Sequence, residues 1–161
     1  MVKKENPTVL ELGCGNGRDA QEILKKTNDY CGIDISEELL KLAKNRLPEA
    51  HLELGDISSF DFPKGLDVVF AFASLIHITK EEFKDVLNKL YEALNKDGVI
   101  RISLKYSPEY KEITQSDEFG TRTYYLYSPE DIQELADRFE ILKSEIIEGR
   151  EAKWLEVLLQ K

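Results

Sequence analysis

The stretch Thr8-Val9-Leu10-Glu11-Leu12-Gly13-Cys14-Gly15-Asn16-Gly17-Arg18-Asp19 decides how the rest of the chain is read. Val9 to Leu12 is a short, mostly apolar run of the kind that forms a buried strand, and three glycines spaced two apart follow it without a break. The backbone therefore turns sharply where the strand ends. Lacking a Cβ, these glycines reach positive φ cheaply and let another molecule lie against bare main chain, while the helix that follows offers N–H groups with no partner of their own. Such a loop suits a nucleotide-like ligand.

The spacing narrows the choice. The dinucleotide pattern G-x-G-x-x-G requires glycine at position 18, where this chain has Arg18, and the phosphate-cradling G-x-x-x-x-G-K-[ST] does not occur. The pattern present is E-x-G-x-G-x-G, with Glu11 as its acid. In this it resembles motif I of the class I S-adenosylmethionine-dependent methyltransferases. The resemblance implies that the loop approaches the methionine part of the cofactor and that Glu11 helps to hold its ammonium end. A carboxylate fits that task, because the ligand is cationic there and carries no phosphate.

At 161 residues and 42% hydrophobic content, the chain is the size of one domain, read here as a single cofactor-binding unit over residues 1–161. The net charge of −9 argues against a broad nucleic-acid face, which would need clustered Lys and Arg. No run approaches a membrane span, and Met1 to Pro7 is too polar for a signal sequence, so a cytoplasmic protein is expected. Two cysteines, Cys14 and Cys31, and two histidines are too few for a disulfide framework or a zinc centre. Both cysteines are read as small packing residues, and no metal is expected.

Along the chain, Asp19 to Lys26 reads as a helix and Tyr30 to Ile35 as a second short strand with Asp34 near its end. Asp34 lies seventeen residues past Gly17, a separation that in a β-α-β unit brings a carboxylate beside the glycine loop, in reach of ribose hydroxyls. Its other reading is a helix-capping acid. Ser36 caps a helix whose apolar positions are Leu39, Leu40, Ala43 and Leu47, and Pro48 stops it. A third strand, His51 to Leu54, runs into Gly55-Asp56-Ile57. Leu66 to Phe72 has the continuous apolar character of a central parallel strand. Thr79 and Glu82 form a capping box for a long amphipathic helix, which Asn95 to Gly98 ends, and Val99 to Tyr106 is the next strand. Ser107 to Gly120 is polar and aperiodic and reads as a long loop at the cofactor edge of the sheet. Arg122, Tyr124, Tyr125 and Tyr127 follow; the tyrosines either surround a sulfonium cation or a flat substrate, or are half-buried packing. Ser128-Pro129 opens a last helix. Phe139 to Glu148 and Trp154 to Gln160 are two strands whose short connection allows only antiparallel pairing.

The resemblance extends over nearly the whole chain. It implies a Rossmann-like α/β three-layer sandwich with a mostly parallel seven-stranded sheet, order 3-2-1-4-5-7-6, strand 7 antiparallel. It also implies cofactor contacts from Glu11, Gly13, Cys14, Gly15, Asn16 and Gly17, from Asp34 and Ile35, from Asp56 and Ile57, and from Ala73 and Ser74 after the fourth strand. Asp56 would meet the adenine amino group and Ile57 the ring. Ala73-Ser74-Leu75-Ile76-His77, Ser103-Leu104-Lys105 and Gly149-Arg150 with Trp154-Leu155 are further similar to a small subgroup that includes the tellurite-resistance type.

Methyl transfer from a sulfonium leans on positioning, and a general base is optional. His77 is the first candidate base, with Tyr124 and Lys105 behind it, although a lone imidazole at a strand end also serves as a structural hydrogen-bonder. The acidic chain favours a small-molecule acceptor. An RNA or protein methyltransferase, and a non-catalytic cofactor-binding module working with a partner, are the rival readings; Arg18 counts against a NAD enzyme. One departure stands out. Family members normally carry a few dozen residues of helix ahead of motif I, but only seven residues precede Thr8 here: either the natural protein is minimal, with an open cleft, or a second copy or partner subunit covers the site, or the chain is trimmed.

Overall fold

A computed structural model describes residues 4–117, 120–150 and 152–161; Met1 to Lys3, Glu118, Phe119 and Glu151 lie outside the described residues. Strand β1 (Val9–Leu12) has all four residues buried, and it leads through the glycine loop into α1 (Ala20–Ile23). Next come β2 (Tyr30–Asp34), α2 (Glu37–Arg46), β3 (His51–Leu54) and β4 (Leu66–Phe72). A 3-10 turn at Leu75–His77 precedes α3 (Lys80–Ala93), which β5 (Leu94–Lys105) follows directly. The remainder is β6 (Lys111–Asp117), β7 (Gly120–Leu126), α4 (Pro129–Leu135), β8 (Glu140–Glu148) and β9 (Lys153–Gln160).

Seven strands form one sheet in the order β3-β2-β1-β4-β5-β9-β8. Strands β1 to β5 pair in parallel, and β9 runs antiparallel between β5 and β8. With the inserted hairpin set aside, this is the expected order 3-2-1-4-5-7-6. The larger core lies on one face, where Leu10, Val69, Ile100, Ile102 and Leu155 meet Phe83, Val86, Leu87 and Leu90 of α3 and Ile132 and Leu135 of α4. Val9, Ala20, Tyr30 and Ala50 make a smaller cluster on the other face, beneath α1 and α2. On this face a trough of about 1120 Å³ runs over Val68, Phe70, Val99, Arg101 and Leu158.

The caps foreseen in the sequence are all made. Ser36 accepts a hydrogen bond from the Leu39 N–H, and Thr79 with Glu82 and Ser128 with Asp131 form reciprocal capping boxes. Helix α1 is shorter than the expected Asp19 to Lys26. The Asp19 carboxylate accepts from Arg18 at 2.9 Å and makes no cap bond, so only one helical turn forms before the chain loosens into turns.

The larger correction concerns Ser107 to Gly120. Instead of a loop, Lys111–Asp117 and Gly120–Leu126 pair as antiparallel strands, Ile113 opposite Tyr124 and Gln115 opposite Arg122, while Glu118 and Phe119 of the expected loop lie outside the described residues. Lys111 to Ser116 are all exposed, so no apolar alternation marks them as a strand; the β-forming Thr and Tyr residues of the partner hold them in register. The hairpin joins the body through Tyr106 and Tyr127, with Tyr127 fully buried and edge-on to Phe83 at 5.4 Å. No helix among the described residues is long and apolar enough to cross a membrane.

A candidate cofactor cleft at the strand ends

The carboxyl ends of β1, β2, β3 and β4 surround a cleft of about 600 Å³, lined among others by Gly13, Gly15, Asp34, Ile35, Asp56, Ile57, Ala73, Ser74, His77 and Arg122. Crossover connections leave the parallel strands at this edge, so loops far apart in sequence converge on it.

The glycine loop is pinned from below by Gly13 and Cys14 N–H groups, which donate to the Ile33 carbonyl at 2.8 and 3.0 Å. Gly13 has φ +73°, and a Cβ there would stand 2.6 Å from that of Ser74, so only glycine lets this loop touch the segment after β4. Gly15, at φ +53°, has open space where a Cβ would be; its bare edge faces the cleft.

Asp34, 8% exposed, accepts from Gly15 N–H at 2.8 Å through one oxygen and from Ser36 N–H at 2.9 Å through the other. It therefore ties the loop to the end of β2 and still presents lone pairs to the cleft. Asp56 is exposed and accepts from Ser58 N–H at 2.9 Å, which holds its carboxylate at the rim. Ile35 is 71% exposed and Ile57 half-buried, both on the cleft wall, an apolar pair of the kind that contacts a flat ring.

After β4 the backbone is strained. Ala73 sits at φ +54°, a left-handed conformation that costs a non-glycine residue about 1–2 kcal/mol. Next to it, the buried Ser74 hydroxyl finds no hydrogen-bond partner among the described residues. Strain and an unsatisfied polar group together on one wall mark a place shaped for something other than stability.

His77 is exposed on the cleft wall, and its Nδ1 lies 3.2 Å from the Thr123 carbonyl of β7. A carbonyl only accepts, so Nδ1 is the protonated nitrogen and a neutral ring keeps its lone pair on Nε2. The imidazole tilts against Tyr124 at 5.0 Å, and Lys105 Nζ stands 3.7 Å from the centre of that same tyrosine ring.

Four loop residues expected to contact cofactor, Glu11, Cys14, Asn16 and Gly17, are not among the residues lining this cleft. Cys14 is buried against Gly32, Gly17 packs near Ala43 and Leu47, and the Asn16 side chain accepts from Arg46 at 3.1 Å. Glu11 is 2% exposed, and its carboxylate accepts from the Tyr30 hydroxyl at 2.5 Å. Burial pushes the Glu11 carboxyl up to about 7, against the opposing effect of that hydrogen bond. Burial likewise raises the Cys14 and Cys31 thiols to about 12. Cys31 is half-buried and does more than pack, since its thiol donates to Glu53 at 3.7 Å. Arg122 and Glu82 also line the cleft. In the sequence Glu82 signals only a cap, and nothing local to Arg122 ties it to the glycine loop.

Bare glycine main chain, an acid at the end of β2 and another after β3 are the parts with which an α/β domain can hold a nucleoside-bearing cofactor. A family model described as a methyltransferase domain matches residues 9–98, and the chain belongs to that family. An uncharacterized methyltransferase of Bacillus cytotoxicus is 34% identical over 101 residues, which are 62% of this chain and 48% of that protein. The chain thus spans about half the length of the curated relatives it matches. Among solved structures, a SAM-dependent methyltransferase from Methanosarcina mazei superposes with a TM-score of 0.84 at 18% identity, over 98% of this chain and 93% of that one. Burkholderia thailandensis 1,6-didemethyltoxoflavin-N1-methyltransferase, solved with 1,6-didemethyltoxoflavin and S-adenosylhomocysteine, gives 0.79 at 21% identity over 98% and 72%.

Proposed function

We propose that the chain binds S-adenosylmethionine in the cleft and transfers its methyl group to a small molecule. The observation that carries this reading is the convergence of Gly15 main chain, Asp34, Asp56 and His77 on one cavity. Family membership and a fold neighbour solved with S-adenosylhomocysteine support it. The cleft also fits the group: open space at Gly15, an exposed Ile35 and the unpaired Ser74 hydroxyl are features a bound nucleoside would complete.

Asp34 would hold the ribose hydroxyls and Asp56 the adenine amino group, with Ile35 and Ile57 against the ring. Glu11 acts through the loop, by packing beneath it, and is a positioning residue. When bound, the cofactor supplies an electrophilic methyl; the acceptor's electron pair forms the new bond as the carbon–sulfur bond breaks. His77 takes the acceptor's proton on Nε2, the nitrogen left with a lone pair in the tautomer whose Nδ1–H donates to the Thr123 carbonyl.

Calorimetric titration with S-adenosylmethionine and S-adenosylhomocysteine tests the reading. Saturable binding is expected, weakened by about tenfold or more in Asp56→Ala and Asp34→Asn. His77→Ala is expected to bind cofactor normally and to lower turnover by about a hundredfold, within the range of general-base contributions. A folded protein that binds neither compound would sink the proposal, and equal loss of binding and turnover in His77→Ala would make His77 structural.

A further inference from the structure

A second hollow, of about 490 Å³, lies between the hairpin and the facing ends of β5 and β9. Cross-strand pairing of Ile113 with Tyr124 brings both side chains to one face of the hairpin, and both line the hollow. Opposite them, Lys105 and Trp154 are direct partners in the β5–β9 register, so they share a face of the sheet. Arg150 completes the wall. The chain carries 31 acids against 22 bases, yet two cations, Lys105 and Arg150, line this hollow. A local positive field in an acidic protein selects for a negative guest.

The walls add a shape. Tyr124 and Trp154 are flat and amphipathic, suited to a ring rather than a flexible chain. The position adds a role, because Tyr124 is also the ring against which His77 leans, at 5.0 Å, and His77 is on the wall of the cofactor cleft. One aromatic side chain thus separates the proposed base from the hollow.

We propose that this hollow receives the methyl acceptor, and that the acceptor is a flat aromatic or heteroaromatic acid. Its carboxylate pairs with Arg150 and with Lys105, whose Nζ covers the Tyr124 ring, its own ring lies against Trp154, and its nucleophilic edge reaches past Tyr124 toward the cofactor cleft. A guanidinium and an ammonium on one wall give charge-assisted hydrogen bonds to the carboxylate oxygens and discriminate against neutral analogues. The proposal rests on the neighbouring cleft being the S-adenosylmethionine site.

Trp154 is the only tryptophan, so its fluorescence reports occupancy directly. Titration of the full chain, with S-adenosylhomocysteine present, compares 4-hydroxybenzoate, 3,4-dihydroxybenzoate and nicotinate with 4-hydroxybenzamide and nicotinamide. Saturable quenching by at least one acid is expected, with its amide binding about tenfold or more weakly. Lys105→Gln and Arg150→Gln should each weaken the acid by a similar factor without changing the calorimetric affinity for S-adenosylhomocysteine or the melting temperature. Equal binding of acid and amide, or no quenching by any acid while S-adenosylhomocysteine binds, overturns the proposal. Quenching by acids without cofactor binding overturns the methyltransferase reading and leaves an anion site. Absence of both overturns both.

Discussion

Two residues under the glycine loop show how much of the site is built from backbone demands. Gly13 and Gly15 both have positive φ, but only Gly13 is blocked by a neighbour, the Ser74 Cβ. Gly13→Ala is therefore expected to destabilise the fold by more than the roughly 1 kcal/mol of left-handed strain alone and to abolish cofactor binding. Gly15→Ala should cost only that strain in stability while still weakening the cofactor, because its new methyl would point into the cleft. Thermal melts beside calorimetry separate the two. Glu11 makes a prediction of opposite character. Its carboxyl is raised from 4.5 to about 7 by burial, so between those pH values the folded chain holds a proton that the unfolded chain has lost. Stability from this group is thus unaffected below pH 4.5, falls as pH rises toward 7 and levels off above, a loss of about 3 kcal/mol. Glu11→Gln keeps an acceptor for Tyr30 and removes the titration, so its stability relative to the natural chain should rise across that window in denaturant unfolding at successive pH values.

Among the elements, the hairpin is the one whose identity depends on its surroundings. Lys111 to Ser116 of its first strand are exposed and show no apolar alternation, so their pairing is decided by Thr121 to Leu126 on the other strand. Once paired, it supplies the Thr123 carbonyl to His77, Arg122 to the cleft and Tyr124 to the hollow beside it. Replacing residues 112–125 with a short glycine–serine linker is expected to eliminate turnover while S-adenosylmethionine binding persists, weakened only by the loss of Arg122 from the cleft wall. Loss of cofactor binding in a folded variant would instead make the hairpin part of the cofactor site. The capped helices behave differently, since Ser36, Thr79 with Glu82, and Ser128 with Asp131 are local signals and were readable directly.

In the whole molecule, rigidity is distributed unevenly around the cleft. Strands β4 and β5 carry fully buried Val69, Ala71, Ile100, Ile102 and Leu104, whereas β6 and β7 hold no fully buried residue among those described and form a two-stranded sheet of their own, joined to the body beside the Tyr106–Tyr127 bridge. Amide hydrogen exchange should therefore be slowest in β4 and β5 and fastest in β6 and β7, with the latter slowed when both cofactor and an aromatic acid are present. Uniform protection would contradict this division. The trough over Val68, Phe70 and Leu158 leaves the smaller-core face of the sheet partly open, while α3 and α4 cover the opposite one.

By itself the sequence determined the framework: the strand and glycine loop at Val9 to Gly17, the acids Asp34 and Asp56 at the ends of the next two strands, and the antiparallel last strand. These are local patterns, and periodicity, capping and glycine spacing express them within a few residues. Tertiary structure alone decided what else the loop residues touch, Cys14 against Gly32, Asn16 with Arg46, Gly17 near Ala43 and Glu11 with Tyr30. It alone decided that Glu82 and Arg122 join the same wall and that Lys111–Asp117 pairs with Gly120–Leu126. The physical reason is common to all of these: each depends on partners brought together by the fold from distant parts of the chain.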